Sequence, residues 1–115
     1  MTQIIVVEYL HGRHWQLHKD LTCNTSMGII VIPAGTTTDF ASIPRTFWSI
    51  FPPFGRYIRA AILHDYCYQN GLFSRKIADR LFFEEMMKDG VAQWKSILMW
   101  KAVRLFGKQA YKNEQ

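Results

Sequence analysis

The chain has little of what marks a membrane-spanning, secreted or disulfide-built protein. Its 115 residues include only two cysteines, Cys23 and Cys67, far apart and in no metal-like cluster. Two such cysteines are expected as reduced, buried thiols. No apolar run reaches the roughly 20 residues that a transmembrane helix needs. The N-terminal stretch MTQIIVVEYLHGRHW lacks a basic start, a long apolar segment and a small-residue cleavage site, so no secretory signal is expected. No repeat, low-complexity tract or linker is visible, which predicts one domain over residues 1–115.

Acidic residues are also scarce, 9 against 14 Lys and Arg, giving a net charge of +5. A basic balance favours anionic partners: an anionic lipid surface, an acidic protein or nucleic acid. No recognition motif supports nucleic acid. What is abundant is core material: 49% of residues are apolar and 15% aromatic, which excludes global disorder.

The first 40 residues read as strands. Ile4 to Val7 form a β-rich run, Trp15 and Leu17 alternate with polar neighbours, and Ile29 to Ile32 form a third strand before Pro33. Asn24 to Gly28 reads as a turn. Helical signals follow. Ser42 is a candidate cap for a short helix reaching Phe51. A second helix is expected from Gly55 to Gln69 and a third from the Ser74 cap to Asp89. A fourth runs from Val91 to Tyr111, with Gly107 as its weak point. The expected fold class is α+β, a small N-terminal antiparallel sheet followed by three to four packed α-helices.

Two helices carry the chemistry. On a 100° wheel His64 shares a stripe with Tyr57, Ala60, Ala61, Cys67 and Tyr68, so it points inward. Asp79 shares a stripe with Phe82, Phe83 and Met86. A carboxylate on an apolar face is costly unless paired. A short turn makes the two helices antiparallel neighbours, so His64 is its expected partner, with Tyr68 as a second donor. Asp65 lies about 100° from His64 and is placed to hold a cation or to receive Arg45 or Arg59.

Such a network has two uses. A carboxylate orients an imidazole as a general base for hydrolysis; the same bonds also simply tie helices together. A His64 nitrogen opening onto a cleft favours catalysis. Two buried, satisfied nitrogens favour structure.

Longer stretches carry a resemblance. Ile32-Pro33-Ala34-Gly35, Thr38-Asp39-Phe40-Ala41-Ser42-Ile43-Pro44-Arg45, Ala60 to Tyr68 with His64-Asp65 inside it, Ser74-Arg75 and Ala78-Asp79 resemble domain-of-unknown-function family 1353 over residues 28 to about 111. Thr36 stands where that family usually has an aromatic, and Cys67 where it has leucine. The family looks phage- and prophage-encoded. That implies a phage protein in a host cytoplasm or virion, with Asp39, Ser42 and Arg45 as the other half of a site. A second pattern, His64-Asp65-x-x-Tyr68 followed by Asp79, is similar to the phospholipase A2 site. There His64 would activate water, Asp65 would bind calcium, and Asp79 with Tyr68 would orient His64. The region 51–55 departs from it, since its single Gly55 replaces a glycine-rich calcium loop.

Together these features give a leading expectation of a hydrolase-like site. His64, Asp79 and Tyr68 would be catalytic, Asp65 and Asp39 would hold calcium, Ser42 and Arg45 would be binding residues, and a lipid ester would be the substrate. The alternative is a non-catalytic phage protein, tail-associated or binding a host protein. His11, His14 and His18 read as surface histidines. The last helix reads as a core helix, with Leu98, Met99, Ala102, Val103 and Phe106 inward and Lys101, Arg104, Lys108 and Lys112 solvated. Trp94 and Trp100 are expected in the core.

Overall fold

The computed structural model describes residues 7–11, 14–38 and 55–111. The chain divides into two compact units, Met1–Asp39 and Phe40–Gln115. Strands fill the first and helices the second, an α+β protein.

In the first unit, β1 (Val7–His11), β2 (His14–Leu17) and β5 (Thr37–Thr38) form an antiparallel sheet in the order β1-β2-β5. The hairpin of β3 (Leu21–Thr25) and β4 (Gly28–Ile32) lies between β2 and β5 in sequence. β3 was not expected. Leu21, Cys23 and Thr25 are buried and alternate with exposed Thr22 and Asn24. The turn is therefore only Ser26–Met27, and Gly28 closes it at φ +104°. Thr25 Oγ1 accepts the Met27 N–H and donates to Gly28 O. A second turn explains the Pro-Ala-Gly sequence. Thr36 N–H bonds to Pro33 O, and Gly35 takes φ +93° at the third turn position, where a side chain would be strained.

In the second unit a 3₁₀ turn over Gly55–Tyr57 leads into α1 (Ile58–Asn70). α1 ends at left-handed Gly71, with the Leu72 N–H returning to Cys67 O. α2 (Arg75–Lys88) starts at Ser74, whose side chain accepts the Ile77 N–H. α3 (Gln93–Phe106) stops at Gly107, so the expected helix to Tyr111 is broken there and gives way to a 3₁₀ turn over Lys108–Ala110. α2 packs against both α1 and α3. Eight of the thirteen α1 residues are buried, so α1 is covered around most of its circumference, which takes in Asp65 as well as His64.

The expected helix at 42–51 lies outside the described residues, as do Ile4 to Val6, Asp39, Ser42 and Arg45. Cys23 and Cys67 are free and buried. No helix among the described residues is long and apolar enough to cross a membrane.

Candidate functional site

Arg56 and Arg59, at the start of α1, reach the far end of α2. Arg56 Nη1 donates to Gly90 O, and Arg59 takes both oxygens of Asp89 and Glu85 Oε1. These contacts run α1 and α2 antiparallel, which brings His64 level with Asp79. His64 Nε2 lies 2.7 Å from Asp79 Oδ1, and Tyr68 OH donates to the same oxygen at 2.5 Å. With an ionised carboxylate opposite, the Nε2 position carries the proton and Nδ1 the lone pair.

The other Asp79 oxygen is filled from α3, where Arg104 Nη1 donates to Oδ2 at 2.7 Å. Arg75 Nη1 stands 3.7 Å from Oδ2 while its guanidinium donates to Val103 O and Arg104 O. One carboxylate thus joins α1, α2 and α3. Arg75 stood in the sequence only within the family resemblance, with no role, and Arg104 was missed there, where it fell on the solvated face. The available signal was its place one residue beyond buried Val103, level with the start of an antiparallel α2.

The site is dry. The side chains of His64 and Asp79 have no exposed surface. Phe82 stacks on the imidazole at 4.6 Å, and Tyr111 meets Tyr68 edge-on at 5.3 Å. Burial lowers the His64 pKa against the opposing pull of Asp79, so the ring is neutral at neutral pH. Burial pushes the Asp79 carboxyl up, but hydrogen bonds from His64, Tyr68 and Arg104 outweigh it and hold it below its ordinary value. Burial and the Asp79 charge raise the Tyr68 phenol far above its usual range. His64 makes further interactions beyond Asp79. Among the described residues, Ser96 Oγ is the buried side-chain polar atom that finds no hydrogen-bond partner.

The remaining predicted residues divide. Asp65 is buried, accepts Gln69 Nε2 at 2.7 Å and has further interactions. Arg59 is committed to α2. No group of three or more potential ligands gathers among the described residues. His18 is exposed. In α3, Met99, Ala102 and Val103 are buried as expected. Leu98 and Phe106 are exposed instead, as is Trp94 at 61%, because α3 has a neighbour on one side only among the described helices.

Fold and site define an α+β protein whose helices converge on a buried carboxylate–imidazole pair. A family model described as "Protein of unknown function (DUF1353)" matches residues 15–103, and the chain belongs to that family. It is 41% identical over 78 residues to the uncharacterized protein y4jT of Sinorhizobium fredii, covering 66% of this chain and 23% of that protein. It is 31% identical over 104 residues to the uncharacterized protein y4iH of the same organism, covering 85% of this chain and 36% of that one. The chain therefore spans under a quarter of one of these curated relatives and a little more than a third of the other. No solved structure matches it.

Proposed function

We propose that the chain is a non-catalytic binding protein of phage or prophage origin, in which the Asp79 network sets the helices that present a binding surface. One observation carries the reading: His64 has no exposed surface, and its carboxylate is shared with Tyr68 and Arg104. A general base must be reachable by the proton it abstracts. An arginine on the same carboxylate also withdraws the charge that would stabilise an imidazolium. A tail-associated role or a host-protein partner fits this reading.

A second reading keeps the hydrolase. It is favoured by the way Asp79 holds His64 through Nε2 while Tyr68 donates to the same oxygen, the arrangement the phospholipase A2 pattern implies. Nδ1 would take a proton from water, the hydroxide would add to an ester carbonyl, and the proton would pass to the leaving alcohol. No step is assigned to calcium, for which Asp65 and Asp39 are the candidate ligands.

One experiment separates the two. Purified chain is assayed for fatty-acid release from phosphatidylglycerol vesicles, with calcium and with chelator, beside His64→Gln. The glutamine amide still donates toward Asp79 but supplies no base. The expected result is no release above background from either protein, in either condition, with a lowered melting temperature for the variant. Release that His64→Gln abolishes overturns the binding reading and establishes the hydrolase.

A further inference from the structure

A groove of about 620 Å³ runs between α2 and α3. Its floor is Ile77 and Phe83 from α2 with Ile97 and Trp100 from α3. It lies roughly a quarter turn around α2 from Asp79, so it does not open on the buried network. Its size falls in the range of small-molecule sites.

The groove is polar at one end. Arg75 bonds to the carbonyls of Val103 and Arg104, so the start of α2 meets the end of α3 and the two helices are antiparallel. Ser74 and Lys76 therefore mark one end, with Trp100 nearby, and Phe83 and Ile97 mark the other. From Ser74 to Phe83 is nine residues, about 14 Å along the helix. Ser74 Oγ accepts the Ile77 N–H as a cap and keeps its own proton to donate. Lys76 is exposed and has no ion-pair partner among the described residues. Arg80, further along the wall, shares its charge with Glu84 at 3.5 Å.

We infer that the groove binds a single-chain anionic amphiphile, a free fatty acid with its carboxylate at Lys76 and Ser74 and its tail laid toward Phe83 and Ile97. Three features select this occupant. One lysine at the polar end, uncommitted among the described residues, matches a head of one negative charge. The apolar floor lies on one side of that end only, as a head and tail require. The concavity suits an inserted chain, which a flat bilayer surface does not supply. A second copy of the chain would set Lys76 and Arg80 against the same cations. The proposal deepens the binding reading by naming the ligand, and it rests on that reading for its biological meaning; the groove itself does not involve His64.

The test is calorimetric titration of the whole chain with laurate below its micellar concentration, with dodecanol as the uncharged control. The expected result is saturable one-to-one binding. Lys76→Glu should weaken laurate about tenfold, equivalent to about 1.4 kcal/mol, and leave dodecanol unchanged. Ile97→Asp should abolish both. Both positions are exposed, and unchanged melting temperatures confirm that the variants fold. Absence of laurate binding, or equal affinity in wild type and Lys76→Glu, overturns the proposal. So does binding to phosphatidylglycerol vesicles without binding of monomeric laurate, or a protein dimer that Ile97→Asp dissolves. A failed titration leaves the vesicle-hydrolysis result intact, so the two proposals fall separately.

Discussion

Arg104 Nη1 sits 2.7 Å from Asp79 Oδ2, a contact 25 positions apart in sequence that joins α3 to a carboxylate already holding α1. The Asp79 side chain has no exposed surface. Removing it leaves His64, Tyr68 and Arg104 pointing donors into a dry space. Asp79→Ala should therefore destabilise the fold by about 3–5 kcal/mol, the usual cost of breaking a buried charge pair from one side. Tyr68→Phe removes one donor and leaves the carboxylate with its others, so about 1–2 kcal/mol is expected. Urea denaturation followed by circular dichroism measures both. Equal losses in the two variants would contradict the central place of Asp79.

Stability should depend on pH through His64 with a definite sign. Its folded pKa is lowered below 6.5, first by burial. As pH falls past 6.5 the unfolded chain takes up a proton that the native imidazole refuses. The unfolded state then binds more protons, so folding stability is full above that value and is lost on acidification. The slope from one proton is at most about 1.4 kcal/mol per pH unit. Asp79 acts lower: its folded pKa is below 3.8, so its contribution persists above that value and is lost as pH falls through the folded one. Melting temperatures measured from neutral pH downward should decline from about 6.5. His64→Gln should show a flatter decline; an unchanged slope would mean that His64 already titrates normally in the fold.

How much of this was legible depended on whether the signal was local. α1 and α2 carry their boundaries in capping residues, Gly71 and Ser74, and the inward stripes place His64, Tyr68 and Asp79 together. Their pairing follows from a short connection alone. β3 was hidden because Asn24 and Thr25 fall in the stretch that reads as a turn, although Leu21, Cys23 and Thr25 alternate inward. Arg104 was hidden for another reason: a cation at the edge of an amphipathic helix reads as solvated until its neighbour is known. The exposed Trp94 shows the converse, since tryptophan alone does not tell a core from a surface.

Gly107 ends α3 with an ordinary helical φ of −84°, where alanine would usually improve a helix. Here a Cβ would stand 2.6 Å from Val103 O and 3.0 Å from Tyr68 OH. The carbonyl is part of the backbone and cannot yield without moving the helix end. Val103 O also accepts Arg75, so the displacement would reach the polar network. Gly107→Ala should therefore destabilise, by about 1–3 kcal/mol as for other overpacked positions, and should shift the tyrosine near-ultraviolet dichroism through Tyr68. A stabilised variant would show that the end of α3 relaxes freely.

Arg59 supplies a fourth case, in which shape rather than charge decides. Its guanidinium bonds to both oxygens of Asp89 and, at 2.5 Å, to Glu85 Oε1. Burial works against its charge, but the two carboxylates outweigh it and raise its pKa. The Glu85 side chain is 2% exposed, with Lys88 Nζ at 3.2 Å as its other cation. Asp89 caps the negative end of the α2 dipole, where a carboxylate is unfavourable without a cation beside it. A lysine at 59 keeps the charge but cannot reach two carboxylates in a fixed fork. Arg59→Lys should cost about 1–2 kcal/mol, the loss of charge-assisted bonds. Arg59→Ala should cost about 3 kcal/mol, because it leaves buried Glu85 with the exposed Lys88 as its remaining cation. Urea midpoints at low and high salt measure both. The Arg59→Lys loss should persist at high salt, because a largely buried pair is poorly screened; a loss that disappears with salt would reduce the fork to an ordinary surface ion pair.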